Sequence, residues 1–154
     1  MNMQNPLLVV RDMDRAKAFY RDVLGLEVAL DFGANVTLTG GLCLQTLESW
    51  LTLTGLTPEQ VAFENRDGEL YFEEEAFDAF LERLGQLPQI RYVHSLRTHP
   101  WGQRVVRFYD PDGHIIEVGE SIQFVCRRFL ESGMTAEETA RRMDVPVGFV
   151  ESCI

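Results

Sequence analysis

Glu69, Glu73, Glu74 and Glu75 lie close together in the chain. Carboxylates that converge in a cleft raise one another's pKa, and one can then serve as a general base. Glu74 and Glu75 have a simpler role, since acids suit the first turn of a helix. That leaves Glu69 and Glu73 as the candidates of the group. Arg104 and Arg107 flank Val105-Val106, and one of them is placed to pair with cleft carboxylates or an anionic ligand; a solvated face is the alternative. His94, His99 and His114 show no metal spacing such as HxxxH. Cys43, Cys126 and Cys153 are odd in number and widely spaced, without a CxxC, so neither a redox pair nor a zinc knuckle is indicated. Ser, His and Asp form no recognisable nucleophilic set, and no glycine-rich phosphate or dinucleotide loop is present.

These side chains need elements to position them. The apolar stretch 7–10 is short enough for a buried strand. Asp12 can cap a helix to Leu24 whose apolar face is Ala16, Phe19, Tyr20, Val23 and Leu24, with Gly25 as its stop. Strands are expected at about 27–32, 35–38 and 42–47, with turns at Gly33 and Gly40-Gly41. Residues 48–67 read as a loop with a short helix or edge piece, and a loop this long often borders a binding site. The plan then repeats. A strand is expected over 69–74, then a helix carrying Phe77, Phe80, Leu81 and Leu84 with Gly85 as its stop. Strands follow at about 90–97, 104–109 and 115–119, the last pair joined by a type I turn at Asp110-Pro111-Asp112-Gly113. This internal duplication is the most informative pattern in the chain. With Glu117 facing inward, strand alternation turns Ile115, Gly119, Glu69, Tyr71 and Glu73 the same way. Leu7, Val9, Cys43, Gln45 and Leu47 would join them from the first unit. An apolar cleft with a few convergent acids suits a small molecule, although the same alternation also builds a barrel wall.

The pattern turns helical after residue 120. Helices are expected over 121–130, from a Thr135 cap with Glu138 at the capping-box position to Met143, and over 147–152. The division is a sheet domain of 1–120, with units of about 1–48 and 68–120, and a helical tail of 121–154. Residues 135–146 resemble the opening of a helix-turn-helix, but the second helix, over 147–152, would hold Glu151 and no Arg or Lys. Its apolar Val147, Phe149, Val150 and Ile154 favour packing over base reading. The whole chain of 154 residues carries 24 acidic and 14 basic side chains, a net charge of -10. That balance argues against nucleic acid and against an anionic membrane surface as partners. No apolar run approaches the ~18 residues of a membrane span, and the start lacks the order of a signal peptide. The expectation is a cytoplasmic protein with reduced thiols.

Two stretches carry a family resemblance. One runs from Arg11-Asp12-Met13-Asp14-Arg15-Ala16 through Phe19-Tyr20 to Gly25-Leu26. The other runs from Trp101-Gly102-Gln103-Arg104 to Asp110-Pro111-Asp112-Gly113-His114-Ile115-Ile116-Glu117. With the module order they resemble the vicinal oxygen chelate superfamily, which includes glyoxalase I, extradiol dioxygenases and bleomycin resistance proteins. The resemblance covers about residues 5–120. It implies an α+β fold in which two βαβββ modules form an open barrel-like sheet around a cleft, here with a C-terminal helical extension. Metal-using members place ligands on the first and last strands of each module, which implies Asn5, Gln45, Glu69 and Glu117 as metal ligands here. Of these, Glu117 matches the family pattern, whereas Asn5 and Glu69 stand where His is common. Such an all-oxygen set suits Mg²⁺, Mn²⁺ or Ca²⁺ better than Zn²⁺ or Ni²⁺; the alternative is no metal. Glu117 or Glu69 would be the catalytic base. The loop His99-Pro100-Trp101-Gly102 resembles the substrate-side loop of many members, so His99, Trp101, Tyr71, Glu73 and Arg104 are the candidate ligand-binding residues. The resemblance also implies a homodimer.

Two function classes follow from the resemblance. The first is a glyoxalase-like, divalent-metal-assisted lyase or isomerase using Glu117 and Glu69. The second is a non-catalytic small-molecule binding or sequestering protein of the bleomycin-resistance type, for which the acidic charge suits a cationic ligand.

Overall fold

The computed structural model describes residues 1–64 and 66–153. The chain divides into two compact units, residues 1–67 with 110–114, and residues 68–109 with 115–154. Each contains one βαβββ module whose four-stranded mixed sheet stays open.

In the first unit the order is β1 (Leu7–Val10), α1 (Met13–Leu24), β2 (Val28–Asp31), β3 (Asn35–Leu38), β4 (Cys43–Thr46) and α2 (Leu47–Thr54). The strands lie in the order β1-β4-β3-β2, with β1 parallel to β4. Asp12 caps α1 by accepting from Arg15 N, and Gly25, at φ 70°, ends it with its N–H on the Arg21 and Tyr20 carbonyls. The buried face of α1 is Ala16, Tyr20 and Val23. Val10, Val36, Leu38 and Leu44 alternate onto one face of the sheet and are buried with it. Helix α2 differs from the expected strand end and loop. Thr46 caps it by accepting from Ser49 N, and Gly55 at φ 73° closes it. Leu47 is therefore a helical residue and not part of a strand face, because the threonine cap begins the helix immediately after β4.

The turn 110–114 belongs to this first unit. Asp110 is buried, with its Oδ1 accepting from the N–H groups of Asp112 (2.9 Å) and His114 (2.8 Å). Its Oδ2 accepts from the Tyr20 hydroxyl at 2.9 Å and meets His114 Nδ1 at 2.7 Å. Burial pushes the Asp110 carboxyl up, but His114 and Tyr20 pull it further, to below its ordinary value. Arg11 N donates to Asp112 Oδ1, and the Arg11 guanidinium lies 3.7 Å over the Phe63 ring. His114 is thus half-buried and bonded, not the surface residue its position after a turn suggests.

The second unit runs β5 (Glu69–Glu74), α3 (Phe77–Gly85), β6 (Arg91–Thr98), β7 (Arg104–Tyr109) and β8 (Ile115–Glu120). Its strand order, β5-β8-β7-β6 with β5 parallel to β8, repeats that of the first unit. Phe77, Phe80 and Leu84 are the buried face of α3, and the Phe80 and Phe108 rings stand 6.5 Å apart. Gly85 does not act as a left-handed stop: it is the last helical residue, and Gln86 caps the helix in right-handed conformation.

Three helices complete this unit, α4 (Ile122–Glu131), α5 (Ala136–Met143) and α6 (Val147–Glu151). The expected capping box is present, with Thr135 N donating to Glu138 Oε2 at 2.9 Å and Glu138 N to Thr135 Oγ1 at 3.2 Å. The helices bury their own cluster, Val125, Cys126, Ala140, Met143, Val150 and Cys153, against which Trp101 also packs. Ile154 lies outside the described residues. A buried carboxylate fastens α4 to the sheet. Glu120 accepts from Arg104 Nε (2.8 Å), Arg104 Nη2 (2.7 Å) and Arg128 Nη1 (2.7 Å), while Arg128 Nη2 reaches the Gly102 carbonyl.

Candidate functional site

Strand register sorts the side chains of the second sheet. Tyr71 pairs with Glu117, and Glu117 pairs with Arg107, so these three share a face. Glu69, Glu73, Ile115, Gly119 and Val105 lie on the same face by alternation. The opposite face carries Ile116, Val118 and Phe108 toward α3. The face bearing Glu117 is therefore the one α3 leaves free.

Arg107 organises this face. Its Nε donates to Glu69 Oε2 at 2.8 Å, its Nη2 to Glu69 Oε1 at 3.4 Å, and the same nitrogen is ion-paired with Glu117 Oε2. Its Nη1 lies 3.2 Å from His94 Nε2. The Glu117 side chain is only 7% exposed, against 35% for that of Glu69. An ionised carboxylate that deep requires a partner, and the guanidinium supplies it. The sequence left open which arginine meets the acids. Alternation decides it, because Arg104 and Arg107 fall on opposite faces of β7. Arg104 bonds Glu120 and, at 2.8 Å, Asp78 Oδ1, and lies over the Phe77 ring on the helix side.

Next to the carboxylates runs a chain of hydrogen bonds. Trp101 Nε1 donates to Gln103 Oε1 at 3.0 Å. Gln103 Nε2 donates to the Tyr71 hydroxyl and to the Glu120 carbonyl, both at 2.8 Å, and Tyr71 in turn donates to Glu73 Oε1 at 3.0 Å. Gln103 is buried and occupies the space beside Gly119, where a Cβ would stand 2.8 Å from its Nε2. Burial raises the Tyr71 hydroxyl above its ordinary value, so at neutral pH it stays a donor. His99 stacks on Trp101 at 4.2 Å between ring centroids. Partial burial, then the nearby Arg107, lower the His99 pKa and favour its neutral form.

The structure thus brings Glu69 and Glu117 together around Arg107, and links Trp101, Tyr71 and Glu73 through Gln103, with His99 stacked on Trp101. Gln103 and His94 were not singled out in advance as site residues, and Arg107 only as one of two alternatives with Arg104. For Arg107, the signal was its even spacing from Val105 and Tyr109 on a strand paired to that of Glu117. In the first unit, Gln45 is buried, with its Oε1 accepting from Asn35 and its Nε2 donating to Ser49. Asn5 is exposed and donates to the Gly41 carbonyl. Gln45 pairs with Val9, whereas Asn5 precedes β1 and lies by Gly41, so the two are not neighbours across the sheet. Among the described residues, no three His, Cys, Asp or Glu side chains converge closely enough to hold a metal ion.

A βαβββ module repeated twice with the same strand order defines the class of fold. Residues 3–123 match the family model for a glyoxalase-like domain. The chain belongs to this glyoxalase-like family of the vicinal oxygen chelate superfamily. It is 43% identical to a protein of unknown function from Agrobacterium tumefaciens, covering 79% of this chain and 95% of that one, with a TM-score of 0.72. It is 31% identical to a lactoylglutathione lyase from the same organism, over 78% and 93% of the two chains, with a TM-score of 0.60. A glyoxalase/bleomycin resistance protein/dioxygenase from Nocardioides shares the fold at 20% identity, over 78% and 83%, with a TM-score of 0.57. No curated protein matches the chain. The helices α5 and α6 lie beyond the matched residues. Among the described residues, no helix is long and apolar enough to cross a membrane.

Proposed function

We propose that this chain binds a small organic molecule on the face of the second sheet that bears Glu117 and that α3 leaves free, as a binding or sequestering protein. One observation carries the reading. Glu117 is a nearly buried carboxylate on a face that α3 does not need, held with Arg107 and beside the half-exposed Tyr71. Fixed polar groups converging on one sheet face, beside aromatic surface, are what a small-molecule site presents. Trp101 and Tyr71 offer aromatic surface, while Glu73, Glu69 and Glu117 outnumber Arg107 in charge, so a ligand with an amine or other cationic group is favoured. The test is isothermal titration of a panel of aromatic amines and neutral analogues. Micromolar binding that weakens at least tenfold in both Glu117→Gln and Tyr71→Phe supports the reading. Unaltered binding in both variants sinks it.

A second reading rests on the 31% identity with a lactoylglutathione lyase. In it the chain is a lyase or isomerase, with Glu117 or Glu69 as the base and a divalent ion supplying electrophilic activation. Formation of lactoylglutathione from methylglyoxal and glutathione, measured with and without added Mg²⁺, Mn²⁺ or Ca²⁺, tests it. Turnover that Glu117→Gln abolishes would establish this reading over the first. Both readings carry the homodimer that the resemblance implies and the cytoplasmic setting expected from the sequence; sedimentation analysis tests the first of these and cell fractionation the second.

A further inference from the structure

We infer that Arg107 is a built-in cation standing where a divalent ion would otherwise sit, so that the wild-type chain holds no metal between Glu69, Glu117 and His94. The inference concerns the face just described but stands on the geometry of four side chains, not on any ligand binding there.

Three donor groups surround the guanidinium. Glu69 offers both oxygens at 2.8 and 3.4 Å, Glu117 offers Oε2, and His94 offers Nε2 at 3.2 Å. The His94 tautomer is assigned by its partners. Its Nδ1 lies 2.8 Å from the Ser95 carbonyl, which can only accept, so Nδ1 carries the proton. Nε2 then has its lone pair free and accepts from Arg107. A neutral imidazole fixed through Nδ1–H on a backbone carbonyl is also the form in which histidine binds metals. Carboxylates and a neutral imidazole are both ligand types that bind divalent ions such as Mn²⁺ and Zn²⁺. Here all three are directed at one guanidinium, and they do not converge on a common point.

The sheet fixes this arrangement. Arg107 pairs with Glu117 on β8 and with His94 on β6, and Glu69 follows from the strand on the other side of β8. A divalent ion needs its oxygens at roughly 2.0–2.2 Å, which would place it within the space the guanidinium fills. For an ion to enter, Arg107 must leave Glu117, whose side chain is only 7% exposed. Breaking a pair that deep is strongly unfavourable. An arginine is also never neutralised in proteins, so this cation cannot be titrated away.

The experiment is titration of MnCl₂ and ZnCl₂ into purified, chelator-treated protein, read by calorimetry and, for Mn²⁺, by electron paramagnetic resonance. Wild type and Glu117→Gln are expected to show the same weak binding, with no stoichiometric site. Arg107→Met is expected to take one ion per chain at least tenfold more tightly than wild type, and to lose that gain when His94→Ala is added. Arg107→Lys, which keeps the charge, is expected to stay as metal-poor as wild type. A stoichiometric ion in wild type that Glu117→Gln removes overturns the inference, and so does a folded Arg107→Met that binds no better than wild type. Should Arg107→Met fail to fold, the wild-type, Glu117→Gln and Arg107→Lys comparison decides alone. The ligand titrations above contain no metal, so their failure leaves this result standing and the reverse also holds, whereas the metal-assisted lyase reading fails if this inference holds.

Discussion

Glu120→Gln keeps the size of the side chain and removes its charge. The wild-type carboxylate is wholly buried and accepts four hydrogen bonds, from Arg104 N (2.9 Å), Arg104 Nε (2.8 Å), Arg104 Nη2 (2.7 Å) and Arg128 Nη1 (2.7 Å). A glutamine has one acceptor oxygen and sets an NH₂ group against guanidinium donors. At least one charge-assisted bond is lost outright, each contributing about 1.5–3 kcal/mol. The remaining bonds weaken, and breaking a buried pair altogether costs about 3–5 kcal/mol. Both arginines keep a second partner, Asp78 for Arg104 and the Gly102 carbonyl for Arg128, and the Arg128 side chain is 37% exposed, so solvent offsets part of the loss. The expected destabilisation is about 2–4 kcal/mol. Urea unfolding followed by circular dichroism should show a lower midpoint at unchanged slope, a shift of roughly 1–2 M for a slope in the usual range. Amide exchange in α4 should accelerate, because Glu120 is what fastens Arg128 to the sheet. The exposed Glu131→Gln serves as control, expected within about 0.5 kcal/mol of wild type. A Glu120→Gln protein as stable as that control would refute the reasoning.

Other perturbations follow from the same geometry. Tyr20→Phe removes the hydroxyl from buried Asp110 and should cost about 1 kcal/mol in chemical denaturation. Asp110 is held below its ordinary value, so its ionised form stabilises the fold above about pH 4 and that contribution fades as pH falls through the lowered folded value. Wild type should therefore lose more stability on acidification than Asp110→Asn does, and parallel stability profiles for the two proteins would contradict this. Gly102→Ala places a Cβ 2.4 Å from Phe129 Cζ at a φ of +90°; it should lower the melting temperature by several degrees, at roughly 4–8 °C per kcal/mol for a small domain and less for a larger one. Gly119→Ala forces Gln103 aside and should change Trp101 fluorescence, read in a Trp50→Phe background, because Trp101 Nε1 loses its fixed acceptor.

Much of the fold was legible because caps and periodicity agree. Asp12, Gly25 and the Thr135–Glu138 pair act as their types suggest. Helix α2 was harder to see, since its cap Thr46 is itself a strand residue and its apolar residues follow β4 without a break. Gly85 looked like a stop, yet nothing in its sequence neighbourhood says whether a glycine ends a helix or closes its last turn. The motif residues that carry the resemblance, Arg11, Tyr20, Asp110, Asp112 and His114, bond one another in the first unit. They report on folding, which explains why they identify the family without identifying a reaction. Glu69 and Glu117 could be placed on one face by alternation. Their shared partner Arg107 could not be fixed from sequence, because Arg104 is equally basic and only the register shows which one faces Glu117. His94 was invisible as a neighbour for the same reason, since β6 pairs with β7 through irregular register.

The most direct test of the account is a crystallographic fragment screen of the wild-type protein, which assumes no particular ligand. The account predicts that bound fragments gather on the Glu117 face of the second sheet, in contact with Tyr71, Arg107 or Glu117, while Arg107 remains paired with both carboxylates. Fragments that gather elsewhere and leave that face bare would contradict it.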